Sequence, residues 1–582
     1  MHAQHTLLQT YLLPQRARLA ALAGLMLVNL LAQLALPRLV LIFIDGALNN
    51  MPLSSLLGLG GVHVTLALLT NITHIGWSYV SQNIGLIATN RIRADLTLHC
   101  LKLDMGFHNT HTPGELIERI DGDVTQLSNV LSGFFVKIAL NGLLLLGVAV
   151  LLMFIDVRIG LLVLLGTLLA IAAVRLLNRK QVQLSDTERQ ANAELIGFVE
   201  ERLSGTEDIR ANGATSYVMR RHADLSRAVF RASLMSALIG VLSWRSMVSA
   251  INLGGFAGLI IGAFGYVDGA WSLGTLYAIY AYTSMIQHPA EQLTRELGNF
   301  QIALASIARV QALFNKSSIV TPPAEQNTPL PAGALGIALD TVTFAYPGDD
   351  TVLHDVTFTL QAGETLGIIG RTGSGKTTLS RLLLRLYDPT AGTVRFGQVD
   401  LRTVAADDLA NRVAVVTQDV QLFSASVRDN LTLFNPNLDD ARVLAALDAV
   451  GLREAILALP QGLDTRLQSG AAGFSAGEAQ LLAFARTFLR APGLVILDEA
   501  SSRLDPDTER KLDVAVDRLL TGRTGVIIAH RLRTLDRVDK ILLLEQGHIR
   551  EFGVRTQLLS DPQSRFYQLL NADHADIDAA LV

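Results

Sequence analysis

The chain has 582 residues, half of them hydrophobic and 17% charged, with a formal net charge of −4 and a mean hydropathy of +0.36. That length exceeds what one core can hold, the hydropathy calls for a membrane portion, and the near-neutral charge excludes the basic footprint of a nucleic-acid binder. A single cysteine, Cys100, rules out intrachain disulfides and a multi-cysteine metal site.

The first residues are polar (His2, Gln4, His5, Gln9), and the apolar run after Arg18 is too long for a signal-peptide core, so no cleaved signal peptide is expected. Apolar runs at 19–47, 56–80, 134–155, 159–174, 237–264 and 273–286 predict six membrane-spanning helices. The third and fourth are separated only by Asp156-Val157-Arg158, which reads as a tight hairpin. Basic residues gather in two connections. Arg91, Arg93, Lys102 and Arg119 lie between spans two and three; Arg175, Arg179, Lys180, Arg189, Arg202 and Arg210 are among those between four and five. The remaining connections offer only Arg158, so the positive-inside rule puts both termini and the two long connections in the cytoplasm. Leu96, Leu98, Leu101 and Leu103, then Leu116, Ile117 and Ile120, carry helical periodicity through the first of these connections. The spanning helices are therefore expected to run on into the cytoplasm, with breaks at Gly106, Pro113-Gly114, Gly205 and Gly213.

Polar residues within the spans are Asn29, Gln33, Arg38, Asn71, His74, Lys137, Asn141, Arg245, Asn252, Gln287 and His288. They either line a solute path or act as interhelical glue and snorkelling groups, and the sequence assigns no solute ligand among them. After Pro289 and a helical stretch to Phe314 comes a proline-rich linker containing Thr321-Pro322-Pro323 and Thr328-Pro329-Leu330-Pro331. The expected division is a membrane domain with cytoplasmic extensions at 1–314, a linker at 315–335, a nucleotide-binding domain at 336–575 and a tail at 576–582.

Alternation from Ile337 to Tyr346 opens the second domain as β structure. Gly370-Arg371-Thr372-Gly373-Ser374-Gly375-Lys376-Thr377 then fits a phosphate-binding loop, preceded by the apolar run Thr365-Leu366-Gly367-Ile368-Ile369 and followed by Thr378 and helically spaced leucines. Glycines let backbone N–H groups turn onto phosphate oxygens, Lys376 reaches the outer phosphates and Thr377 ligates Mg²⁺. Leu494-Val495-Ile496-Leu497 reads as a buried strand delivering Asp498 and Glu499 to its C-terminal edge, Asp498 for Mg²⁺ and Glu499 for the attacking water.

With these residues in place, the chain resembles half-transporters of the ATP-binding cassette (ABC) exporter family over nearly its whole length. The resemblance implies a membrane α-helical domain with six transmembrane helices plus an α/β P-loop NTPase domain. It also implies ATP and Mg²⁺ as cofactors, a second half-transporter as partner, and residence in a bacterial plasma membrane. It assigns Thr417-Gln418-Asp419 to the glutamine loop, with Gln418 on Mg²⁺, and Tyr346 to adenine stacking. Ser475 and Gly477 fall in the signature, Asp505 in the D-loop and His530 at the switch. Thr112-Pro113-Gly114-Glu115-Leu116 resembles the segment beside the first coupling helix, and 209–217 falls near the second.

The family signature is Leu-Ser-Gly-Gly-Gln, whereas here Phe474-Ser475-Ala476-Gly477-Glu478 stands, and Thr465-Arg466-Leu467-Gln468-Ser469-Gly470 lacks a glutamate common upstream. A carboxylate at 478 weakens an anion site if it points inward. Such a chain is one member of a heterodimer or half of a homodimer. The expected function is ATP-driven export of a lipid, drug, peptide or other amphipathic solute. Import of a metal–chelate complex and an ATP-gated channel or assembly factor are the alternatives.

Overall fold

The computed structural model describes residues 10–129, 135–320, 328–418, 420–467, 474–498, 506–529 and 532–571. The chain divides into two compact units, Met1–Leu101 with Pro113–Lys316, and Lys102–Thr112 with Ser317–Val582.

In the first unit, five helices among the described residues are long and apolar enough to cross a membrane: Thr10–Leu48, Leu53–Lys102, Val136–Ile155, Val157–Ser204 and Thr215–Val267. The sixth predicted span is the 13-residue helix Leu273–Met285, followed after one residue by Gln287–Phe314. Ile286 keeps helical angles (φ −74°, ψ −30°). The interruption comes from Pro289, which has no N–H to give the Met285 carbonyl. Asp156 alone separates the third and fourth spans, and its carboxylate caps the next helix by accepting the Arg158 N–H at 2.7 Å.

The long connections are continuations of the spans. Val157–Ser204 and Thr215–Val267 contain 48 and 53 residues, so each is ~70–80 Å long. Where they cross, Gly166 and Gly254 face one another: a Cβ on Gly166 would sit 3.4 Å from the Gly254 Cα. Small residues allow this approach of backbones in a medium where apolar surface alone does not drive helices together. Of the expected breaks, Gly205 ends Val157–Ser204 and Gly213, with φ of +64°, turns the chain, whereas Gly106 lies inside the helix Met105–Thr110.

The second unit carries two sheets. β1 (Ile337–Ala345), β2 (Thr351–Leu360), β4 (Ala391–Phe396) and β5 (Val399–Asp400) pair antiparallel in the order β2-β1-β4-β5. The other sheet runs β10-β9-β3-β8-β7-β6. Its strands are β3 (Thr365–Gly370), β6 (Val413–Val416), β7 (Leu494–Asp498), β8 (Thr524–Ile528), β9 (Lys540–Glu545) and β10 (His548–Val554). β9, β3, β8, β7 and β6 are parallel, with β3 and β8 buried along their whole length, which accounts for their unbroken apolar sequences.

Lys102–Thr112 belongs to this second unit. Asp104 caps the helix Met105–Thr110 by accepting the Phe107 N–H at 3.1 Å. Its other oxygen accepts the Ser318 hydroxyl at 3.1 Å and the Ile319 N–H. Asn109 donates to the Tyr387 hydroxyl at 2.8 Å. A piece of the connection between spans two and three is thus fastened to the nucleotide domain at both ends.

Candidate functional site

Parallel strands put their C-terminal ends on one edge, and three of them bring predicted residues there. β3 ends at Gly370 and enters the phosphate loop; β6 ends two residues before Gln418; β7 ends at Asp498, in register with Ile528 of β8. The Ala529 N–H donates back to the Ile368 carbonyl at 3.0 Å, binding the end of β8 to β3. Gln418 is exposed and Asp498 half-buried. Glu499, Asp505 and His530 lie outside the described residues, as do Asp419 and Gln468-Ser469-Gly470.

Within the loop, the Ser374 N–H donates to the Arg371 carbonyl at 3.0 Å, closing the turn. Gly375 takes φ +102°, and a Cβ there would meet Leu353 Cδ2 at 2.6 Å, so a side chain at this position is strained twice over. Arg371, Thr372 and Gly373 are exposed at the loop's crest, and Gly373 has φ +84°. Lys376 is 6% exposed, its ammonium turned into the loop to donate to the Gly370 carbonyl and, at 3.0 Å, to the Arg371 carbonyl. Ser374 Oγ is buried and has no hydrogen-bond partner. A buried hydroxyl without a partner carries a desolvation cost. Together with an ammonium held on backbone carbonyls, it describes a cradle matched to phosphate oxygens. Thr377, on the first turn of the helix Lys376–Leu383, is exposed.

Tyr346 sits at the end of an aromatic cluster, edge-on to Phe344 and Tyr387 with centroids 4.9 and 5.2 Å away. Its hydroxyl is fixed by Thr378 Oγ1 and by Arg381, each at 3.1 Å. The predicted base-stacking residue and Thr378 are therefore linked to one another.

The signature forms a reciprocal cap. Ser475 is the N-cap of the helix Ala476–Arg490, and its Oγ accepts the Glu478 N–H at 3.2 Å. Glu478 Oε2 in turn accepts the Ser475 N–H at 2.8 Å and the Ser475 hydroxyl at 3.0 Å. The carboxylate occupies the donors that Ser475 would otherwise offer an anion. Ser-x-x-Glu before an apolar run is itself a capping-box spacing, so this contact was available from the sequence. Gly477 is buried on the first turn.

Arg486 was not anticipated. It lies on the signature helix, donating at 2.7 Å to the Asn430 carbonyl and at 3.1 Å to the Gln421 carbonyl. Burial pushes its pKa down, yet an arginine stays charged. It ties the signature helix to the segment after Gln418. Asp104 and the Asn109–Tyr387 pair were likewise missed.

A family model described as ABC transporter matches residues 353–502, and one described as ABC transporter transmembrane region matches 19–290. An ATP-dependent lipid A-core flippase of Chromohalobacter salexigens is 30% identical, covering 84% of each chain. A fatty acid ABC transporter ATP-binding/permease protein of Mycobacterium bovis is 29% identical over 83% of this chain and 76% of its own. The solved structure of a bacterial Atm1-family ABC exporter with ATP bound superposes with a TM-score of 0.81 at 24% identity, covering 96% of this chain and 99% of that one.

Proposed function

Because the chain belongs to the ABC transporter family as an exporter-type half-transporter, an ATPase coupled to transport, we propose that it exports an amphipathic solute across a bacterial plasma membrane. Half-transporters of this kind function as dimers, and in this reading two cassettes close on two ATP molecules. One observation carries it: the phosphate loop, Gln418 and Asp498 meet at one sheet edge in a chain that also has, among its described residues, five helices of spanning character.

The roles follow from the chemistry of the groups. Backbone N–H groups of Gly373 and Gly375, with Lys376, neutralise phosphate oxygens, while Tyr346 stacks on adenine. Thr377, Gln418 and Asp498 supply oxygen donors of the kind Mg²⁺ prefers; the ion would add charge stabilisation at the phosphates. Glu499 orients water for in-line attack on the γ-phosphorus, the bond to the bridging oxygen breaks, and Lys376 and His530 absorb the charge that develops. Ser475, Gly477 and Asp505 act across the dimer, on ATP held by the facing cassette. Because Glu478 competes with that ATP for Ser475, the signature of this chain serves the weaker of two sites, which favours pairing with a different half-transporter.

Movement of the cassette reaches the membrane through 102–112, with both termini and the two long connections cytoplasmic. The test is flux into inside-out vesicles. ATP-dependent accumulation of lipid-like solutes, absent in Glu499→Gln, is expected; ATP-dependent loss from preloaded inside-out vesicles would mean import, and solute leak without turnover would mean a gate.

A further inference from the structure

Ionisable residues inside an apolar span normally find a partner. Lys137 pairs with Glu296 at 3.0 Å, and Arg245 lies over the Trp244 ring at 4.8 Å. Arg38 does neither: it is exposed, and among the described residues it has no ion-pair or hydrogen-bond partner. It stands ten residues before the helix end at Leu48, which is ~15 Å along the axis and about half of a ~30 Å hydrocarbon layer. Leu27, Leu31 and Ile42, exposed at 56%, 58% and 39%, share its helix face. The helix Leu273–Met285 packs beside it, with the Tyr282 hydroxyl donating to the Leu34 carbonyl at 2.9 Å, one turn from Arg38 and within its electrostatic reach.

A permanent cation at mid-depth in an otherwise apolar stripe is badly placed against lipid and well placed against a molecule with an apolar body and one anionic group. We infer that Arg38 is the anion-recognition point of the solute path, and that the solute is an amphiphile bearing a carboxylate or phosphate monoester. This rests on the transport reading above and narrows its solute class.

The experiment titrates cis-parinaric acid into the full-length, nucleotide-free protein in phosphatidylcholine nanodiscs and follows its fluorescence. Saturable binding is expected, displaced by dodecyl phosphate and not by dodecylamine. Arg38→Gln should raise the half-saturation concentration about tenfold or more, the scale of one charge-assisted contact, and Arg38→Lys should stay within about threefold of wild type. Both variants should retain ATP binding at the cassette, which reports folding. Unchanged affinity in Arg38→Gln, or equal displacement by dodecylamine, overturns the inference. So does competition by phosphatidylglycerol added to the discs, which would assign Arg38 to bilayer headgroups. Loss of dimers in Arg38→Gln with parinarate affinity intact would assign it to the subunit interface and also overturn it. The readout needs no ATP turnover, so binding through Arg38 without vesicle flux would sink the export reading alone.

Discussion

The two units of the chain hold their polar groups in opposite ways. In the cassette, charged and hydroxyl groups sit at a sheet edge where register fixes each neighbour, and buried Lys376 and partnerless Ser374 Oγ lie in one loop. In the membrane unit, polar groups are scattered along helices and mostly satisfied locally. Asn29 donates to the Thr70 carbonyl at 2.7 Å and to Thr73 at 2.9 Å, and Gln33 donates to Asn29 at 2.6 Å. Unfilled bonding capacity occurs in both units, at Ser374 and Thr393 in the cassette and at Trp77 and Arg38 in the membrane unit, and the proposed roles fall at the loop of Ser374 and at Arg38.

Removing the cassette's central cation gives the largest effect. Lys376→Ala should lower ATP turnover about 100-fold or more, the scale of losing a group aimed at developing charge; turnover within about threefold of wild type would show that the loop does not hold the reacting phosphates. Neutralising the self-cap should act in the opposite direction and more weakly. Glu478→Gln keeps the capping geometry but removes the negative charge, so the ATP concentration for half-maximal turnover should fall about twofold to fivefold, as for a partly exposed charge contact. No change would mean that the carboxylate leaves Ser475 freely.

The smallest effect concerns the fastening of 102–112. Burial pushes the Asp104 carboxyl up, but the Ile319 and Phe107 N–H groups and the Ser318 hydroxyl outweigh it and hold its pKa below the usual value. Its stabilising contribution is thus complete above the ordinary carboxylate pKa, about 4, and is lost as pH falls through the lowered folded value. Protection of the Phe107 amide, relative to its intrinsic exchange rate at each pH, should fall over that window, and Asp104→Asn should remove about 1 kcal/mol of protection at neutral pH; equal protection in the variant would remove Asp104 from the fastening.

What could be read from the sequence divides along the same line. The phosphate loop and Asp498 are legible because close backbone approach and strand-edge delivery demand particular residues at particular spacings, whereas Gln418 and Ser475 come from the family resemblance. The helical extensions are legible from leucine periodicity; Pro289 falls just after the expected sixth span at 273–286, and the interruption at Ile286 emerges only in the structure. The Asn109–Tyr387 bond spans 278 positions and the Asp104–Ser318 bond 214; no local pattern announces such pairs. Strand order also depends on long-range pairing, as when β3 inserts between β8 and β9. Arg38 was visible among eleven polar residues of the spans, but only packing separates it from those with partners.

The most direct test of the account is the composition of the particle formed by the full-length Glu499→Gln protein with Mg²⁺ and ATP, measured by native mass spectrometry. Two chains retaining unhydrolysed ATP are predicted, either two copies of this chain binding two ATP molecules or this chain with a co-purified second half-transporter. A one-chain particle, or ATP hydrolysed at the wild-type rate, would contradict it.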